Sequence, residues 1–152
     1  MRRLFAFLNR LLGRSDVYHR GEVYMRRWRA GPRRWFGIRL HHILRSDADP
    51  ELHDHPFSFA TLVLCGGYWE YTVDGRRTRY GPGSLLIRSA EVLHRLELER
   101  PAWTLVLRGP MRREWGFLTT IGWMPWRRFV DAKRGASRYA DGPHQFSAES
   151  SI

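Results

Sequence analysis

Between Glu22 and Thr119 the chain is built of short apolar-rich runs, several alternating apolar and polar residues, separated by turn residues. A period of two marks a strand, because successive side chains point to opposite faces of a sheet. The runs are EVYMRRWR (22–29), RWFGIRLHHIL (34–44), FSFATLVLC (57–65), GYWEYTV (67–73), SLLIR (84–88), VLHRLEL (92–98), WTLVLR (103–108) and EWGFLT (114–119). Short strands at this spacing predict an all-β sandwich or barrel. Asp74-Gly75, between YWEYTV and RRTRY, is the dipeptide of a tight hairpin, and Gly81-Pro82-Gly83 breaks the chain before the next strand. Helical spacing belongs to the ends: Leu4, Leu8, Leu11 and Leu12 share one side of a short amphipathic helix over 3–12, and WRRFVDAKR (126–134) predicts a closing helix. The expected organisation is an N-terminal helix and linker over 1–21, a barrel over 22–134 and a polar tail over 135–152.

A chain of 152 residues suffices for one domain with a real core and is short for two. Its 43% hydrophobic content excludes wholesale disorder. With Cys65 as its single cysteine the chain has neither an internal disulfide nor a cysteine-based zinc module, which suits a reducing compartment and makes the cytoplasm the expected location. The opening MRRLFAFLNRLLGR starts with charge, but Asn9 and Arg10 interrupt its apolar run and no small-residue cleavage site follows, so a signal peptide is not expected. No run approaches the roughly 18 apolar residues of a membrane-spanning helix.

The net charge of +11 is unevenly spread. Residues 1–45 hold twelve arginines against Asp16 and Glu22, whereas the remainder is close to balance. The excess is therefore expected to sit apart from a site formed further along the chain. Nucleic acid or an anionic membrane surface is a conceivable partner, but solvated basic faces are common and neither is favoured.

Candidate chemistry lies in the histidines. In Leu52-His53-Asp54-His55-Pro56 a strand projects residues i and i+2 to one face, so both imidazoles can reach one ion while Asp54 points away. In VLHRLEL the even positions are apolar apart from His94, which places that imidazole on the interior face, where it needs a partner. A metal shared with His53 and His55 supplies one; a backbone hydrogen bond would also serve. Glu70 and His41 are the remaining candidates for a fourth ligand. Glu70 is expected to face solvent in its hairpin, and His41 to pack or to hydrogen-bond.

These residues resemble the cupin superfamily, small double-stranded β-helix (jelly-roll) barrels with two motifs. The first reads H-x-H, then Glu three or four residues on and Gly six residues after that; the second reads G-x5-P-x-G-x2-H-x3-N. The spacing of the second fits Gly83 to His94, and His53, His55 and the Gly66-Gly67 turn fit the first. The likeness covers roughly residues 35–108. It departs at Asp47, Ser89, Glu91 and Leu98, which stand at the motifs' glycine, proline, glycine and asparagine positions, and the glutamate ligand falls at Phe59 or Ala60. A three-histidine site without a carboxylate is similar to that of the cysteine and thiol dioxygenase branch, although Cys65 lies too far along the chain for that branch's cysteine–tyrosine crosslink. The H-x-D…H pattern of 2-oxoglutarate oxygenases is absent.

The resemblance implies a divalent metal at His53, His55 and His94, ferrous iron first, with zinc, nickel or manganese as alternatives, since imidazole suits them all. It implies a small-molecule substrate, and pairing into a homodimer through the sheets. Arg39, in RWFGIRLHHIL, is the counterpart of a carboxylate-binding arginine on that branch's corresponding strand, and Arg108 is a second candidate. Phe57, Phe59 and Trp103 are candidates to line the mouth. Two functions remain open: an oxygenase acting on a small thiol- or carboxylate-bearing molecule, and a non-catalytic metal- or ligand-binding barrel whose basic N-terminal region docks a partner.

Overall fold

The computed structural model describes residues 12–19, 21–30 and 35–140, with side chains as far as Ala136. The helix expected over 3–12 falls almost wholly outside the described residues, as does the tail from 141 onward. The described elements are β1 (Gly13–His19), β2 (Glu22–Ala30), β3 (Gly37–Ile43), β4 (Leu52–His53), β5 (Phe59–Cys65), β6 (Tyr68–Thr72), β7 (Arg77–Tyr80), β8 (Leu85–Arg88), β9 (His94–Leu98), β10 (Ala102–Arg108), β11 (Gly116–Thr119), β12 (Gly122–Pro125) and α1 (Trp126–Ala140). They form two six-stranded sheets, β1-β2-β3-β10-β5-β8 and β12-β11-β4-β9-β6-β7, with antiparallel neighbours throughout. From β4 to β11 each connection but the β6–β7 hairpin crosses from one sheet to the other, which is the jelly-roll expected from the sequence.

The turn from β5 to β6 is one such crossing, and it needs its glycines. Gly66 has φ +77°, and a Cβ there would collide with the Pro101 carbonyl oxygen and lie 2.9 Å from Ala102 Cα. Elsewhere the sequence boundaries shift. Residues 13–19, read as linker, form β1 and pair along their length with β2; the polar run Gly-Arg-Ser-Asp hides a strand whose hydrogen bonds come from its neighbour. Helix α1 runs to Ala140 instead of stopping at 134, because Gly135 costs a helix only about 1 kcal/mol relative to alanine.

The register arranges the inner face of the first sheet in rows. β10 alternates buried and more exposed residues from Ala102 to Arg108, so Ala102, Thr104, Val106 and Arg108 face inward. One end of the barrel is apolar: Ala102 sits opposite Ile43, which pairs with Met25, and Val63, Tyr68, Leu86 and Ala102 form the buried core with Tyr80, Leu96 and Leu98 packed against it. The next row holds Arg27, His41, Thr104 and Val63, then Arg29, Arg39, Val106 and Thr61, and the outermost Gly37, Arg108, Phe59 and Arg88. The sheet therefore runs from a hydrophobic floor to a mouth that carries Arg108 and Arg88. The outward face carries exposed aliphatic side chains, Ile38, Leu64, Leu85, Ile87, Leu105 and Leu107.

Helix α1 closes the second sheet through residues at helical spacing. Trp126 stacks on Trp115 at 5.8 Å and Phe129 on Phe117 at 4.0 Å, while Lys133 Nζ donates to Asp49 Oδ1 and Glu51 Oε2 at 2.7 and 3.1 Å. Asp54 turns away from the imidazoles beside it. It is 1% exposed and accepts from Gly116 N and Arg113 Nη1, both at 2.7 Å, and from Trp123 Nε1 at 2.8 Å. These bonds clamp β11 and β12 to the histidine strand. Asp54→Ala leaves the buried Gly116 N–H unpaired and releases Arg113 and Trp123, which are partly exposed, so a loss of about 2 kcal/mol is expected. A urea midpoint equal to that of the native protein would show that the clamp contributes nothing.

Candidate metal centre

His53 and His94 are direct register partners on β4 and β9, and His55 follows two residues after His53. The His55 N–H donates to the Ala90 carbonyl at 3.0 Å, tying the H-x-H segment to the loop that leads into β9. The outcome is convergence: one ring nitrogen from each of His53, His55 and His94 lies within 4.8 Å of the others. Nitrogens bound at about 2.1 Å on one side of an octahedral ion are about 3 Å apart, so binding an ion would draw the more widely spaced rings inward. His55 Nε2 is 2.7 Å from His94 Nε2. His94 is buried and the other two are half-buried, with Phe59 edge-on to His55 at 4.7 Å and tilted against His94 at 6.2 Å.

A feature the sequence reading missed explains how His94 is held. Glu70, expected in solvent, is 2% exposed and lies behind His94, its Oε1 2.6 Å from Nδ1. Arg88 donates from Nε to Oε1 at 3.2 Å and from Nη2 to Oε2 at 2.5 Å, and also reaches the Tyr80 hydroxyl at 3.1 Å. Burial pushes the Glu70 carboxyl up, but the hydrogen bonds from His94 and Arg88 outweigh it and hold the group below the ordinary glutamate value. An ionised carboxylate only accepts, so Nδ1 of His94 carries the proton and Nε2 keeps a lone pair directed at its two neighbours. The strand Tyr68-Trp69-Glu70-Tyr71 misleads because it is aromatic on both faces. Trp69 and Tyr71 lie outside, under the guanidiniums of Arg77 and Arg95 at 4.0 and 4.5 Å.

The other two imidazoles are kept neutral. Burial pushes His55 well down, reinforced by His94, His53, His41 and Arg39; burial also lowers His53, partly opposed by Asp47. Neutral imidazole is the form that ligates a metal. Asp47, at the position of the motif's glycine, stands 3.8 Å from His53 Nδ1 and accepts from Leu96 N and the Tyr24 hydroxyl, each at 2.6 Å. The donor set is thus three nitrogens, with a carboxylate bonded behind His94 and another near His53, which fits a divalent transition metal.

The remaining sequence candidates divide. Arg39 and Arg108 both face inward, their guanidinium carbons 4.9 and 5.4 Å from the Phe57 ring, which is itself 6.2 Å from that of His55. Trp103 does not belong to the mouth: alternation along β10 puts it on the outer face, stacked on His42 at 4.2 Å and Trp28 at 5.6 Å. His41 packs inside, one of the two outcomes expected of it, and its Nε2 has no hydrogen-bond partner among the described residues. The expectation that the N-terminal charge excess sits apart from the site also fails, since β2 and β3 are walls of the barrel and Arg39 acts electrostatically on His55. Chain position says little about proximity when strands cross between sheets.

No family profile and no curated protein matches the chain. Solved structures do. A cupin-2 domain from Rhodospirillum rubrum aligns with TM-score 0.59 and 12% identity over 86% of this chain and 88% of its own. An RmlC-like cupin from Shewanella frigidimarina aligns at 0.52 and 16%, over 68% and 88%. The iron(II) form of HppE aligns at 0.55 and 10%, over 65% of this chain and 57% of its own, so this chain spans little more than half of that protein. At these identities the likeness is one of fold. The protein is a cupin-fold barrel, and the mouth of the barrel carries three histidines placed to share one ion. Among the described residues, no helix is long and apolar enough to cross a membrane.

Proposed function

We propose that the protein is a metal-dependent cupin enzyme, holding ferrous iron at His53, His55 and His94 and oxidising a small thiol- or carboxylate-bearing molecule with dioxygen. The observation that carries this is the convergence of three imidazoles, one of them fixed from behind by a buried carboxylate. A metal held by three ligands on one side keeps open positions at which substrate and dioxygen can meet. The chain's own residues do the rest. His53, His55 and His94 hold the ion, Phe57 and Phe59 limit water at it, and Arg39 and Arg108 bind and orient a carboxylate. The fold does not choose the reaction: HppE is described with iron(II), while RemF is a polyketide cyclase and DddQ a DMSP lyase.

Metal analysis of protein purified without added metal is the first test, followed by oxygen uptake with ferrous iron across a panel of small thiols and carboxylates. Near-stoichiometric metal and substrate-dependent oxygen uptake are expected. Chelation should also lower the melting temperature, since an ion that binds only the folded state stabilises it by mass action. Metal without oxygen uptake from any substrate would replace the oxygenase by the binding-barrel reading, and absence of metal affinity would end the enzyme and leave a metal-free ligand-binding barrel.

A further inference from the structure

The inner face of β2, β3 and β10 presents Arg27, Arg29, Arg39 and Arg108 in three adjacent rows, together with Met25, Gly37, His41, Ile43, Ala102, Thr104 and Val106. No carboxylate is in that set. Arg29 stands opposite Arg39 in the register, Arg27 stands opposite His41, and Arg108 lies beside Gly37, where a Cβ would come within 3.2 Å of its Nε. Burial pulls Arg39 down to about 10, and Arg27, Arg108 and Arg29, all cations, push it in the same direction. Arg27 is lowered too, by burial and by Arg29. Among the described residues, neither Arg29 nor Arg39 makes an ion pair. Phe57 lies between this cluster and the histidines, touching the guanidiniums on one side and His55 on the other. One row deeper, Thr104 Oγ1 and His41 Nε2 are both buried without a hydrogen-bond partner among the described residues, and their residues are neighbours in the register; Thr104 is 1% exposed.

Gathering Arg29 and Arg39, without an ion pair among the described residues, beside Arg27 on one wall is unfavourable unless an anion is bound there, and the orphaned buried polar atoms point the same way. The carboxylates described beside the histidines are already engaged: Glu70 is held by Arg88 and His94, and Asp47 accepts from Leu96 N and the Tyr24 hydroxyl. We infer that the arginines of β2, β3 and β10, with His41 and Thr104, form an anion subsite across the barrel from the three histidines, and that it takes the doubly charged oxyanion end of the substrate, a phosphoryl or dicarboxylate group. This rests on the barrel serving as the substrate site of the proposed metal enzyme, and it makes the substrate more highly charged than a simple monocarboxylate. One guanidinium satisfies a carboxylate bidentately; a row of three or four suits an anion with more charge and more oxygens.

The test uses metal-stripped protein, so that the subsite is judged independently of the histidines. Inorganic phosphate, malonate and acetate are titrated by calorimetry at matched ionic strength, which holds screening constant; any basic surface draws a dianion more than acetate, so the arginine variants below carry the discrimination. Phosphate or malonate is expected to bind with unit stoichiometry and at least about ten times more tightly than acetate, the tighter of the two naming the source of the charge. Arg39→Met and Arg29→Met should each weaken that binding about tenfold or more, whereas Arg76→Ala, on an exposed turn, should not. Without anion, both methionine variants should melt at or above the temperature of the native protein, since each removes a cation from a like-charged cluster; this separates a lost site from a lost fold. Equal binding of acetate and phosphate, no binding by the native protein, or unchanged binding in Arg39→Met and Arg29→Met overturns the inference. Metal affinity measured on the same samples tells the two readings apart, since an absent subsite leaves the histidines' metal intact and an absent metal leaves anion binding intact.

Discussion

Replacing His94 by alanine is expected to weaken metal binding by at least about 100-fold while leaving a folded barrel, and replacing its neighbour Arg95 by alanine is expected to leave metal content unchanged. The magnitude follows from the fact that even groups behind a ligand are worth about 10- to 100-fold in affinity, so a ligand itself should exceed that range. Alternation makes the contrast sharp. His94 faces the other two imidazoles at 4% exposure, whereas Arg95 lies outside, over the Tyr71 ring at 4.5 Å and reaching Glu97 Oε2 at 3.5 Å. Loss of His94 leaves Glu70 paired with Arg88, so no buried carboxylate is stranded and the destabilisation should be that of a cavity, about 2 kcal/mol. Metal analysis with far-ultraviolet circular dichroism on both variants decides it, and equal metal loss in the two would sink the ligand assignment.

Glu70→Gln is expected to cost roughly 10- to 100-fold in metal affinity without touching a ligand. Glutamine has the shape of glutamate but lacks the charge that holds Nδ1–H, and its amide can turn a donor toward His94, which favours the tautomer with the proton on Nε2. That form has no lone pair for the ion. Nitrogen chemical shifts of the His94 ring in the metal-free protein report the tautomer directly: protonation at Nδ1 is expected in the native protein, with the Nε2-protonated form gaining in the variant. Glu70→Ala should also destabilise the fold by about 3 kcal/mol, because it leaves the Arg88 guanidinium, 19% exposed, without its carboxylate. Adding Arg88→Met should recover part of that stability and none of the metal affinity. Native metal affinity in Glu70→Gln would show that the carboxylate serves only Arg88.

Much of this molecule was determined by local pattern. The alternation in VLHRLEL turns His94 inward, and the i, i+2 spacing of His53 and His55 places both on one face, because a strand has only two faces and a period of two. Strand content, the Asp74-Gly75 turn and the closing helix are legible for the same reason: each depends on residues within a few positions of one another. What the tertiary structure decided are questions of which face is in. For Glu70 both faces of β6 are aromatic, so only the neighbouring strand and Arg88 reveal that the carboxylate is buried. For Trp103 an aromatic residue at the end of a strand suits a mouth or an outer stack equally, and the register of β10 against β3 settles on His42. The strand β1 exists because β2 offers it an edge, a partner that its own polar sequence does not announce. The approach of Arg27, Arg29 and Arg39 to Arg108 is likewise a product of pairing between segments up to some eighty residues apart, and linear charge counting separates Arg108 from the three that the sheet gathers with it onto one wall.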